Sequence, residues 1–122
     1  MPQVIGHRGA AGTHPENTMV SFQRAFELGV DGIEFDVHRT ADGHLVVIHA
    51  PGVDRTTDGS GLIMMMTLEQ IRALDAGSWK GPQWKAEKIP SLDDLLASMP
   101  EGKQVFIEIK TGPEILPGLV KV

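Results

Sequence analysis

Gly32-Ile33-Glu34-Phe35-Asp36-Val37 is the stretch on which the fold turns. Its apolar and acidic residues alternate with the period of a β-strand, so Glu34 and Asp36 share one face while Ile33, Phe35 and Val37 share the other. Two carboxylates so placed stand roughly 7 Å apart and repel one another when desolvated together. A solvent-facing edge strand tolerates such a pair. A buried strand needs a cation or hydrogen-bond donors between them, and a hard divalent metal fits best.

Toward the N-terminus, Pro15-Glu16-Asn17-Thr18 carries helix-start chemistry: Asn17 or Thr18 can cap, and Glu16 places negative charge near the positive helix end. Met19, Val20, Phe22, Ala25, Phe26 and Leu28 then form an apolar helical face, which Gly29 closes. Ahead of the helix, Val4-Ile5-Gly6 reads as a short strand ending in His7-Arg8-Gly9. Strand, helix and strand within about 35 residues make a βαβ unit with parallel neighbours.

Toward the C-terminus, Thr40-Ala41-Asp42-Gly43 separates the acidic strand from Leu45-Val46-Val47-Ile48-His49. Asp-Gly between two strand-like runs signals a β-hairpin, hence antiparallel pairing. With Asp42 and Gly43 as the two loop residues, Ala41 faces His44 and His49 falls opposite Asp36, on the carboxylates' face. A slip of one residue would move His49 to the other face. Arg55-Thr56-Thr57-Asp58-Gly59-Ser60-Gly61 follows in a turn-rich segment that reads equally as a substrate loop or a connector. Leu62 to Met66, with three consecutive methionines, reads as packing filler.

Thr67-Leu68-Glu69-Gln70 matches a capping box for a helix through Ile71 and Leu74, and Ser91 caps another through Leu92, Leu95, Leu96 and Met99. Between them lies a polar loop with Trp79 and Trp84, either packed on a helix or lining an entrance. Val105 to Lys110 is a further strand with Phe106, Glu108 and Lys110 on one face. Pro117 disfavours a long helix after it, which leaves four strands in all.

The 122 residues, 41% of them hydrophobic, suffice for one domain with a modest core. A net charge of −5 argues against non-specific binding to nucleic acid or anionic membrane. With no cysteine, disulfides, thiolate zinc sites and cysteine nucleophiles are excluded. No apolar run approaches the roughly 20 residues that span a bilayer, and the first residues lack signal-peptide features, so a cytoplasmic protein is expected.

Three acids in apolar strands, Glu34, Asp36 and Glu108, and two strand-end histidines, His7 and His49, together read as a site. Carboxylate oxygens suit Mg²⁺, Ca²⁺ or Mn²⁺, and two histidines beside a hard metal can act as general base and general acid. Arg8 and Lys110 add the positive donors that a phosphate requires.

Taken in order, His7-Arg8-Gly9, Pro15-Glu16-Asn17-Thr18, Glu34-Phe35-Asp36, Thr40-Ala41-Asp42-Gly43, His49, Arg55 to Gly61 and Glu108-Ile109-Lys110 resemble the glycerophosphodiester phosphodiesterases. The resemblance implies an α/β fold of the TIM-type barrel and metal-dependent hydrolysis of glycerophosphodiesters to sn-glycerol 3-phosphate and an alcohol such as choline, ethanolamine or glycerol. It implies Glu34, Asp36 and Glu108 as metal ligands, His7 and His49 as the acid–base pair, and Arg8 and Lys110 as phosphate contacts. Two departures stand out. Ala50 occupies the position where the family commonly has an aspartate, and a (β/α)₈ barrel takes about 250 residues, so residues 1–122 correspond to a first half of about four strands. Open sheet edges in a half barrel favour self-association. A non-catalytic metal- or phosphate-binding fragment is the alternative from another class. A lysophospholipase D or sphingomyelinase D-like activity is the alternative among enzymes.

Overall fold

The computed structural model describes residues 4–109 and 119–121. Strand β1 (Ile5–His7) leads through helix α1 (Met19–Glu27) to β2 (Gly32–Arg39), which turns back as β3 (Leu45–Val47). Helices α2 (Leu68–Arg72) and α3 (Leu92–Ala97) follow, then β4 (Gln104–Ile109) and β5 (Leu119–Lys121). One five-stranded sheet results, in the order β1-β2-β4-β5, with β3 attached to β2. It is an open α/β sheet among the described residues, not a closed barrel.

β2 is the spine. β1 and β4 both run parallel to it, pairing His7 with Glu34 on one side and Asp36 with Glu108 on the other. Its odd residues Ile33, Phe35 and Val37 are wholly buried against Phe22 and Ala25 of α1, Leu95 of α3, and Val105 and Ile107 of β4. Phe22 meets Phe35 edge-on with ring centroids 5.6 Å apart. Each such side chain contributes about 1.5–3 kcal/mol by leaving water. The even residues are thereby turned to the opposite face of the sheet, which carries the acids. A second apolar cluster, of Val46, Ile48, Val53, Ile63, Ile71 and Ile89, packs the segment between β3 and β4.

Helix starts follow the capping chemistry read from the sequence. Thr18 caps α1 by accepting from Ser21 N, Thr67 and Gln70 form the reciprocal box of α2, and Ser91 caps α3. Leu28, expected on the apolar face of α1, is 62% exposed because it falls at the C-cap, beyond the buried Phe22 and Ala25. Of the three methionines expected as filler, Met64 and Met65 point to solvent. They sit on a single 3₁₀ turn that buries Ile63 and packs Met66 against the second cluster.

The hairpin register differs from the expected one. Val37 pairs with Val47, His38 with Val46 and Arg39 with Leu45, one residue away from a two-residue loop. Thr40 N donates to His44 O and Gly43 N to Thr40 O, and Gly43 has φ +85°. The turn is therefore a three-residue loop whose last residue is left-handed, which glycine adopts without strain. Ile48 N still donates to Asp36 O, so by register Ile48, and not His49, faces Asp36. A fifth strand, β5, lies antiparallel on β4 where four strands were expected. Its three residues follow Pro117 in the sequence, and a proline disfavours a long helix without preventing a short edge strand.

Candidate active site

The charged residues gather at the C-terminal ends of the parallel strands, the usual functional end of an α/β sheet. His7, the last residue of β1, places Nε2 2.9 Å from Glu34 Oε2, as their pairing across the parallel ladder allows. The second oxygen of Glu34, Oε1, is buried with no hydrogen-bond partner. Burial pushes the Glu34 carboxyl above its ordinary range; His7 opposes the rise, and the charges of Asp36 and Glu108 add to it.

His49 reaches the site although its register is wrong for it. β3 ends at Val47, and the chain bends off the ladder at His49 and Ala50. From there His49 Nδ1 lies 2.7 Å from Asp36 Oδ2, a carboxylate only 2% exposed. Arg8 Nη2 lies 3.1 Å from His49 Nε2. A guanidinium only donates, so Nε2 accepts and the imidazole proton resides on Nδ1, facing Asp36. His38, also on the acidic face of β2, donates from Nε2 to the His49 carbonyl at 3.0 Å. Asp36, Arg8 and His38 thus orient His49 without any contribution from residue 50.

Arg8 is itself held. Its φ is +56°, an unusual conformation for a residue with a side chain. Arg8 N donates to Glu34 O at 2.7 Å, while Arg8 O accepts from Asn17 N at 3.0 Å and from the Ser21 hydroxyl at 3.1 Å. Nη1 faces Glu16 Oε2 at 3.6 Å. That carboxylate, 9% exposed, also receives a two-pronged contact from Arg55, at 3.1 Å to Oε1 and 2.8 Å to Oε2. Burial alone would raise the Glu16 pKa, but the Arg55 hydrogen bond and the charges of Arg55, Arg8 and His49 outweigh it and hold the carboxyl below its ordinary range.

Of the expected site residues, the structure brings His7 to Glu34 and His49 to Asp36 and Arg8, and sets Glu108 beside Asp36 in the sheet. Lys110 lies outside the described residues. Among the described residues, no three His, Asp or Glu side chains converge as a metal-ligand set. Glu34 and Asp36 each spend an oxygen on an imidazole instead. The expected ligands nonetheless suit a cation: an orphaned buried carboxylate oxygen on Glu34 and like charges that raise its pKa are what a hard ion relieves. Trp84 ends a short 3₁₀ turn, and Trp79 is 38% exposed. The Trp84 and His14 rings meet at a 42° tilt with centroids 4.6 Å apart, and Arg55 and Lys80 stand 5.9 and 5.7 Å from the Trp79 ring.

Sequence reasoning missed the connection between Glu16 and Arg55, and the role of His38. Alternation on β2 placed His38 on the acidic face, which was a usable signal. Nothing in the sequence joins Glu16 to Arg55 across 39 positions.

Comparison with known proteins places the chain among relatives of one family. Residues 7–116 match the model of the glycerophosphoryl diester phosphodiesterase family. A glycerophosphodiester phosphodiesterase of Caldanaerobacter subterraneus subsp. tengcongensis is 50% identical over 117 residues, covering 95% of this chain and 48% of that protein. The crystal structure of a glycerophosphodiester phosphodiesterase from Agrobacterium tumefaciens superposes with a TM-score of 0.87 at 40% identity, covering 89% of this chain and 47% of the other. An Oleispira antarctica phosphodiesterase in complex with the product sn-glycerol-3-phosphate also gives 0.87 at 40% identity, covering 92% and 46%. The chain therefore spans about half the length of the relatives it matches. On the match over residues 7–116 and these likenesses, the chain belongs to the glycerophosphoryl diester phosphodiesterase family.

Proposed function

We propose that this chain carries the reacting groups of a glycerophosphodiester phosphodiesterase, which hydrolyses glycerophosphocholine, glycerophosphoethanolamine and similar diesters to sn-glycerol 3-phosphate and an alcohol. The observation that carries the reading is His49 held between Asp36 and Arg8, with a phosphate-binding type of cation directly on its acceptor nitrogen. The product-bound Oleispira antarctica relative supports the substrate class.

In this reading Glu34, Asp36 and Glu108 would hold a divalent ion, Mg²⁺ or Ca²⁺ with Mn²⁺ as a further candidate. When bound, it supplies positive charge to the phosphoryl oxygens. Arg8 turns one arm of its guanidinium from His49 to the phosphate, joined there by Lys110. That turn frees the Nε2 lone pair, and His49 takes a proton from the attacking oxygen. Asp36 stabilises the imidazolium that forms, as an acceptor on Nδ1–H does in other catalytic histidines. His7, paired with Glu34, gives a proton to the departing alkoxide. Positioned acid–base groups contribute about 10²–10⁴-fold each.

The test is release of glycerol 3-phosphate from glycerophosphocholine by the purified chain, with and without a chelator, alongside His7→Ala and His49→Ala. Loss of turnover by about 10²-fold or more in each variant and on chelation is the expected result. Turnover indifferent to both substitutions would refute the assignment. Binding of metal without turnover would favour the second reading, a non-catalytic fragment, whose support is the half-length match to the relatives. No described helix is long and apolar enough to cross a membrane. Val4 and Ile5, 57% and 36% exposed at the β1 edge, are the apolar surface on which two copies would pair. Sedimentation at the mass of one chain would exclude that association.

A further inference from the structure

The turn that follows β3, Arg55-Thr56-Thr57-Asp58-Gly59-Ser60-Gly61, has no part in the chemistry above. Most of it is scaffold. The Thr57 hydroxyl donates to Val53 O and accepts from Gly59 N, while Asp58 and Asp75 exchange backbone and side-chain hydrogen bonds that fasten the turn to the chain after α2. From this braced turn Arg55 reaches toward the site, where it meets Glu16.

Glu16 has few other uses. Its side chain is 9% exposed, and a carboxylate so nearly buried is costly unless paired. Arg55 occupies both of its oxygens in fork geometry, the strongest form of such a pair, and Arg8 Nη1 approaches Oε2 from the other side. The Arg8 backbone is fixed by three hydrogen bonds in a left-handed conformation, but its long side chain would sample many rotamers without a tether. Glu16 supplies one tether, at Nη1; His49 supplies the other, at Nη2.

We propose that Glu16, locked by Arg55, is a positioning residue that pivots Arg8: it anchors Nη1 so that Nη2 swings between His49 Nε2 and the substrate phosphate. Arg55 then acts at one remove, touching neither phosphate nor imidazole. The pivot rests on the phosphodiesterase reading of Arg8, but the restraint on Arg8 exists in the free chain and is testable without turnover.

The experiment is nitrogen-15 NMR of the Arg8 guanidinium in the full chain, compared across wild type, Arg55→Met, Arg55→Lys and Glu16→Gln, together with equilibrium binding of sn-glycerol 3-phosphate. Expected in the wild type are resolved, slowly rotating Nη protons, which collapse to an averaged signal in Arg55→Met and Glu16→Gln. Product affinity should weaken about tenfold in Arg55→Met, the scale of one charge-assisted hydrogen bond, with KM raised and kcat nearly kept wherever turnover is measurable. Arg55→Lys keeps the charge but not the fork, and should recover only part of the affinity. Full recovery in Arg55→Lys would reduce Arg55 to a distant charge and overturn the pivot. An Arg8 signal unchanged in both Arg55→Met and Glu16→Gln, with circular dichroism showing both folded, would overturn it as well. A wild type that restrains Arg8 through Glu16 yet binds no glycerol 3-phosphate would uphold the tether and defeat the phosphodiesterase reading instead.

Discussion

Gly9 sits where α1 packs closely on the turn that carries Arg8, and replacing it by alanine adds a methyl group at that contact. Its φ is +80°, and an added Cβ would lie 2.4 Å from Ser21 Oγ, 2.8 Å from Ser21 C and 3.0 Å from Phe22 N. Two costs combine. A left-handed alanine costs about 1–2 kcal/mol, and forcing a methyl group into a packed contact costs about 1–3 kcal/mol. Gly9→Ala should therefore lose about 2–5 kcal/mol, a large share of the 5–15 kcal/mol typical of a domain. Gly29→Ala is the control: φ there is +88°, but nothing lies within 4 Å of the added Cβ, so only the conformational cost of about 1–2 kcal/mol applies. Urea unfolding followed by circular dichroism reads both. With slopes near 1–3 kcal/mol per molar, the Gly9→Ala midpoint should fall by roughly 1–5 M and clearly further than the control. Equal midpoints for the two variants would refute the claim that α1 is seated by contact with Gly9. They would also remove Ser21, whose hydroxyl donates to Arg8 O, from the account of how Arg8 is held.

Two further outcomes follow from the same charges. Mg²⁺ at a hundredfold excess over its dissociation constant should raise stability by about 2.7 kcal/mol, an effect that Glu34→Gln abolishes; an unchanged shift in thermal unfolding of that variant would take Glu34 out of the ligand set. The Glu16 carboxyl is held below its ordinary value of 4.5, so its stabilisation is complete above that pH and is lost as pH falls through the lowered value. The stability gap between wild type and Glu16→Gln should accordingly be flat at neutral pH and close on acidification; a gap that widens in acid would contradict the pairing with Arg55 and Arg8.

The local elements of this fold were legible because their causes are local. Thr18, Thr67 and Ser91 announce helix starts through side chains that bond within three residues. The alternation in β2 and β4 announces which face is buried, and Ile33, Phe35, Val37, Val105 and Ile107 comply. What was not legible depends on a choice between near-equal local options. Asp-Gly serves a two-residue turn or the last two positions of a three-residue turn, and the outcome shifts every pair in the hairpin by one. β5 escaped for the opposite reason: a three-residue edge strand has too little pattern to announce itself and exists by virtue of β4 beside it.

The candidate site was legible in its residue types and opaque in its pairings. His49 was assigned to the acidic face through a register that does not occur, and it arrives there regardless. The reason is that β3 stops at Val47, so strict alternation no longer governs residue 49. Its partner, Asp36, is a buried carboxylate in a low-dielectric setting, where an available imidazole N–H has a large electrostatic advantage over solvent. Termination of the strand frees the side chain, and the buried charge then selects where it goes. The same logic accounts for Glu16, which was read as a helix-end charge. Once the fold buries it to 9% exposure, a dipole at the end of a nine-residue helix is too weak a partner, and two guanidiniums from different loops take its oxygens. In both cases burial, a property of the whole fold, decides which charges meet. For that reason spacing in the sequence can nominate such residues but cannot join them.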